Sequence, residues 1–339
     1  MHRRSFLTIV PAASVTGTFP AAREAVPQSS WDLWKEAFLT PEGRVVDALQ
    51  DMASHSEGQG WAMLLAAQLG DGESFARMFE WTERYLAVRR DPLLSWRWRP
   101  GDGIADYNNA SDGDLFYAWA LLVAARRFET GTYADRSAEV ARAIDEILVK
   151  PAPGGGLLLR PGAERFSDNG REILNLSYIM PLALHALGAA FDLPRLGEVA
   201  NDGEALIARV AETGLTPDWI ALDEEGWRAA TGYGTDYSYD ALRVALYLVW
   251  SGRFANPAVA RLRAFLDGTD SGTPVRVDPS TGQVLETSDA AGYAALSTLI
   301  RNTGRSVPLV PLPDYTAGQS YYPATLHLLS LVASRATLA

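Results

Sequence analysis

SDGDLFYAWALLVAARRF, residues 111–128, is apolar around most of its circumference, and the stretch after it, residues 133–148, is apolar along one stripe only. A helix apolar on every side is surrounded by protein, whereas a one-striped helix faces water on the other. That pairing repeats in both directions. The helix after Glu57, stopping near Gly70, is apolar throughout and is followed by a half-exposed one at 74–88; further on, 175–191 and 236–250 are apolar, 202–213 and 257–266 amphipathic. Residues 288–300 and 320–333 are again mostly apolar, and WDLWKEAFLT at 31–40 reads as a helix that Pro41 helps to end. An inner ring of about six helices wrapped by a similar number of outer ones satisfies this pattern. The expected fold is therefore all-α, an (α/α)6 barrel with inner and outer helix rings in a single domain over 23–339. TPVRVDPSTGQVLE, residues 273–286, adds one small hairpin turning at Pro279 to Gly282. An open superhelix of helix pairs normally shows a fixed repeat, and none is visible.

Composition narrows the chemistry. The net charge of −11 and the lack of a basic stripe argue against nucleic acid and favour a neutral or cationic partner. With no cysteine there is no disulfide, thiolate metal site or cysteine nucleophile, and His2, His55, His185 and His327 leave little scope for a metal cluster. Catalysis is expected to rest on carboxylates, with no metal and no cofactor. The ten tryptophans and thirteen tyrosines suit sugar faces and large cores alike, so they decide nothing alone.

MHRRSFLTIVPAASVTGTFPAA, residues 1–22, carries Arg3 and Arg4 ahead of a short apolar run, and RRSFL resembles the twin-arginine export signal of bacteria, with cleavage near Ala22. The run is far short of the roughly 20 residues that span a bilayer. The expected mature protein is soluble and periplasmic or secreted.

SHSEGQGWAMLL, residues 54–65, sets Glu57 at the mouth of an apolar helix, with Ser54 or Ser56 as N-cap and Gly58 and Gly60 allowing a sugar or another backbone to come close. A helix N-terminus favours the charged form of Glu57, so a proton-donor role requires burial and a second carboxylate nearby. A first-turn capping glutamate fits the stretch equally well. Asp112 and Asp114 open another inner helix, Tyr178 lies at the start of a third, and Asp240 in TDYSYDALR opens a fourth. If the inner helices run parallel, these groups meet on one rim. Each also has a structural reading: the aspartates as caps, Asp240 as an ion-pair partner of Arg243, Tyr178 as core, His55 as structural. Trp96, Arg97, Trp98 and Arg99 fall on the loop before the signature helix and fit either a sugar cleft or packing.

Two carboxylic acids flanking a bond are the means of glycoside hydrolysis. SEGQGWAM resembles the acid-bearing motif of glycoside hydrolase family 8, and ASDGDLFYAWALLVA resembles that family's signature, with Asp112 at its marked aspartate. NLSYIMP around Tyr178 and YSYDALRVALYLVW around Asp240 are similar to its water-holding tyrosine and general-base segments. The likeness runs in order from Trp31 to YYPATLHLLSL at Tyr321 and is nearest to periplasmic endoglucanases associated with bacterial cellulose synthesis. It implies an inverting endo-β-1,4-glucanase acting on cellulose-like β-glucan. By position Glu57 is the general acid, Asp240 the general base, Asp112 the residue that holds and distorts the sugar, and Tyr178 a positioner of the attacking water. Trp98, Arg243, Asp114 and Gln59 are the expected substrate-binding residues. The implied partners are a β-1,4-linked polysaccharide and the cellulose synthase machinery. Chitosan, mixed-linkage glucan or xylan are the alternative substrates, and a non-catalytic glycan-binding protein is the alternative class; the latter predicts loss of a carboxylate, and all three are present. Gly60, Trp61, Ala62, Tyr117 and Phe128 depart from the residues usual in the family, which keeps subsite details outside the resemblance.

Overall fold

The computed structural model describes residues 27–168, 170–230, 232–269, 272–304 and 309–336. The expected export signal at 1–22 lies outside the described residues. In chain order the helices are α1 (Gln28–Phe38), α2 (Ser56–Leu69), α3 (Gly72–Tyr85), α4 (Ser111–Arg127), α5 (Gly131–Ala143), α6 (Pro181–Phe191), α7 (Pro194–Ala211), α8 (Leu242–Trp250), α9 (Pro257–Asp267), α10 (Ala291–Asn302) and α11 (Tyr321–Ala336). α2, α4, α6, α8, α10 and α11 touch in that order, and α11 returns to α2, so the inner ring closes. α3, α5, α7 and α9 lie outside the inner helices that precede them, and α1 outside α11. The (α/α)6 barrel expected from the apolar pattern is therefore the fold. Between α10 and α11, where a sixth outer helix would stand, described residues 309–320 hold no helix, and Leu312 and Tyr315 pack against the core instead. Among the described residues no helix is long and apolar enough to cross a membrane.

The seam between α1 and α11 is a buried one. Trp34 donates its indole N–H to Thr325 Oγ1 at 3.0 Å, and its ring leans on Tyr321 with 6.3 Å between centroids. Burial on this scale supplies the main stabilisation, and the hydrogen bond removes the cost of an unpaired indole N–H in that core.

Short antiparallel strands cap the ring: β1 (Ser54–His55) with β2 (Arg97–Trp98), β3 (Val149–Pro151) with β4 (Leu157–Leu159), and a four-stranded sheet of β5 (Ser167–Asp168), β6 (Arg171–Asn175), β7 (Trp219–Asp223) and β8 (Gly226–Ala229). β9 (Thr273–Val277) and β10 (Val284–Ser288) form the hairpin expected at 273–286. The four-stranded sheet is not in the sequence reading, which ran a helix from 175. Pro181 explains the difference: it sits at the first helical position of α6, where its missing N–H costs nothing, and holds Met180 in an extended conformation. Residues before it are thus free to form β6 and a 3-10 turn, Leu176–Tyr178. The same shortening occurs at α8, which begins at Leu242 and not at 236.

Candidate active site

α2 and α4 are drawn together by glycine. A Cβ on Gly60 would stand 2.9 Å from Tyr117 N, and one on Gly113 would stand 2.7 Å from Glu57 N. Both approaches need a residue without a side chain. They bring Glu57 and Asp112, each in the first turn of its helix, into a hydrogen bond. Of the alternatives raised for Gly58 and Gly60, the structure shows protein, not open space for sugar: Gly58 faces the Tyr321 hydroxyl. Neither serine caps α2. His55 holds the cap position without a side-chain bond, Ser54 donates to Val45 O at 2.5 Å, and Ser56 is already inside the helix.

Arg243, in the first turn of α8, gathers the acids. Its Nη1 donates to Glu57 Oε1; its Nη2 donates to Asp240 Oδ1 at 2.8 Å and Ser177 Oγ at 2.7 Å and lies 3.8 Å from Asp112 Oδ2. The guanidinium rests over the Trp61 ring, 5.4 Å from its centroid. Asp240 Oδ2 accepts from Asn175 Nδ2 at 2.8 Å and Trp219 Nε1 at 3.1 Å. Residues 57, 112, 178 and 240 line one hollow, which continues into a larger one past Tyr239, Tyr293 and Tyr322. The starts of α2, α8, α10 and α11 all reach this trough, as parallel inner helices require.

Burial pushes the Glu57 carboxyl well above the usual carboxylate range, against the pull of Arg243; the charges of Asp112 and Asp240 and the hydrogen bond to Asp112 push the same way. Burial raises Asp112 too, while Arg243, the bond from Glu57 and the Gly113 N–H favour its charged form. Of the two, Glu57 is thus the one whose protonated form the site favours more, and the helix N-terminus is outweighed. Burial also keeps Tyr178 a neutral phenol, able to donate. His55 is pushed down to about 4 by burial and stays neutral, which removes it as a charged proton partner.

Three of the residues expected to bind substrate are placed elsewhere. Asp114 is fully buried and accepts from Leu94 N and Asn109 Nδ2, both at 2.7 Å, holding the loop before α4. Gln59 is fully buried, accepting from Val45 N at 2.6 Å and donating to Thr82 Oγ1 at 2.9 Å. Trp98 packs edge-on against Trp81 and under Arg44, away from the trough, and Trp96 lines it instead. Trp96 stands at a bend just before the two-residue strand β2 that carries Trp98, a break that the sequence reading of a plain loop did not resolve. Sequence reasoning also missed Ser177 and Trp219. The acidic turn in WIALDEEGWRA, between two alternating runs, is the signal that could have exposed the strand carrying Trp219.

The model of "Glycosyl hydrolases family 8" matches residues 9–336. The chain belongs to glycosyl hydrolases family 8. It is similar to a probable endoglucanase of Novacetimonas hansenii, 36% identical over 331 residues that cover 94% of each chain. An endoglucanase of Cellulomonas uda is 32% identical over 86% of this chain and 83% of that one. Among solved structures, an endo-beta-1,4-glucanase from Acetobacter xylinum superposes with a TM-score of 0.83 at 32% identity, over 92% of this chain and 98% of its own. The family 8 membership expected from SEGQGWAM and ASDGDLFYAWALLVA is therefore established, and with it the identity of this chain as a glycoside hydrolase.

Proposed function

We propose that this family 8 hydrolase is an inverting endo-β-1,4-glucanase in which Glu57 is the general acid and Asp240 the general base. The observation that carries the reading is that one guanidinium, Arg243, holds both carboxylates beside the same trough while burial keeps the proton on Glu57. Glu57 gives that proton to the glycosidic oxygen as the bond from the sugar C1 breaks. Asp240 takes a proton from a water that adds to C1 from the opposite face, so the anomeric configuration inverts. Tyr178, which lines the same hollow as Asp112 and Asp240, donates its phenol hydrogen to that water. Asp112 holds the sugar at the point of cleavage.

The β-1,4-glucan preference is supported by the names of the relatives and by the open trough, whose tyrosines offer flat faces to a chain entering at any point along its length. Export and a place beside the cellulose synthase machinery are supported by RRSFL and by the likeness to periplasmic endoglucanases.

The test is turnover of carboxymethylcellulose, chitosan and xylan by the purified protein, with the first product's anomer read by NMR. The α-anomer from carboxymethylcellulose is expected; a β-anomer defeats the inverting assignment, and faster turnover of chitosan or xylan defeats the substrate. Glu57→Gln and Asp240→Asn are each expected to lose at least about a hundredfold in kcat while still binding sugar.

A further inference from the structure

The sheet register sets Asn175 directly opposite Trp219, so their side chains share one face. Both reach the same atom, Asp240 Oδ2, at 2.8 and 3.1 Å. The other oxygen, Oδ1, is left on Arg243 at 2.8 Å. Two donors on one oxygen and Arg243 on the other oppose rotation of this carboxylate about its χ2. A slip of one residue in the β6–β7 pairing would remove both donors together.

Trp219 does more than donate. Tyr178 meets its ring edge-on with 6.0 Å between centroids; Phe166 stacks on it at 5.8 Å and Tyr233 lies against it at 5.1 Å. Its backbone is tied to the loop that carries Asp240: Trp219 N donates to Gly234 O at 3.0 Å, and the neighbouring Asp218 carboxylate accepts from Ser238 N and Ala241 N at 3.0 and 2.8 Å. One side chain thus touches the two groups that must meet the attacking water, from a strand outside the helical ring.

We propose that Trp219 is a positioning residue for hydrolysis, fixing the base Asp240 through its indole N–H and the water-holding Tyr178 through its ring. The proposal rests on the reading of Asp240 as the base. Trp219→Phe keeps a flat ring for Phe166 and Tyr178 and deletes the N–H. With a soluble cello-oligosaccharide, kcat is expected to fall about tenfold to a hundredfold, the usual effect of losing one hydrogen bond to a charged group, with KM within about twofold. Trp219→His, which returns a ring N–H, is expected to recover part of the loss. In an Asp240→Asn background Trp219→Phe is expected to be nearly silent, because it acts through Asp240. Wild-type kcat in Trp219→Phe, an equal loss in Trp219→His, or an undiminished loss in the Asp240→Asn background would each overturn the proposal. Wild-type turnover by Asp240→Asn alone would instead remove the base assignment on which it stands. An unchanged melting temperature in Trp219→Phe separates positioning from lost packing.

Discussion

Gly113 lies against the backbone of Glu57. A Cβ there would stand 2.7 Å from the Glu57 nitrogen and closer still to Ser56 Oγ, so the distance between the acid and Asp112 is set by a hydrogen atom where every other residue has carbon. Gly113→Ala is expected to cost about 1–3 kcal/mol of stability, as overpacking does, and to lower kcat at least tenfold by parting Glu57 from Asp112. Thermal melting and steady-state kinetics on the same preparation check it; unchanged kcat would mean that the Glu57–Asp112 contact does not matter to turnover.

With Glu57 as the proposed general acid, the alkaline limb of the pH–rate profile is expected to follow its carboxyl. Its carboxyl is raised by burial and by Asp112 and Asp240, so activity is expected to persist at neutral pH and to fall as rising pH strips the proton. Asp112→Asn removes one of the charges holding that proton, and the alkaline limb of the residual activity is expected to move toward acid. A limb that stays where it is would show that Asp112 does not help to hold that proton.

Gln59 predicts a stability effect without a binding effect. Gln59→Leu leaves the buried Val45 N and Thr82 Oγ1 without their partner, which is expected to cost about 2–4 kcal/mol. KM for soluble substrate should stay within about twofold. A large rise in KM at unchanged melting temperature would restore Gln59 to the sugar site.

Asp114 makes stability depend on pH. Burial raises its pKa to about 7 from the 3.8 of a free side chain, so the folded protein binds a proton there that the unfolded chain has lost. Such a group stabilises fully below about 4, and its contribution is lost as pH rises through about 7. The melting temperature is expected to fall across that interval, and Asp114→Asn, which cannot ionise, is expected to flatten the fall. An equally steep fall in the variant would place the titration elsewhere.

The ring was legible because inner and outer helices differ in how much of their circumference is apolar, a contrast that survives in the sequence. The acids at α2 and α4 were legible for a related reason: they stand at helix starts, which capping and glycine patterns announce. Asn175 and Trp219 were not. Their meeting depends on the pairing of two strands 44 residues apart, and register is written in cross-strand partners that a single chain does not display. Asp114 and Gln59 misled for the opposite reason: a polar residue beside an acid motif looks like part of the site, and only the loop folded over it reveals that its hydrogen bonds are already taken.

The bond from Trp34 to Thr325 joins residues 291 positions apart. No part of the ring before α11 can bury that seam, so a nascent chain emerging from the ribosome holds an open arc with apolar helices facing an unfilled gap until α11 is released. Folding is thereby tied to the appearance of α11, and removing either α1 or α11 is expected to yield an insoluble arc in place of a weakened enzyme.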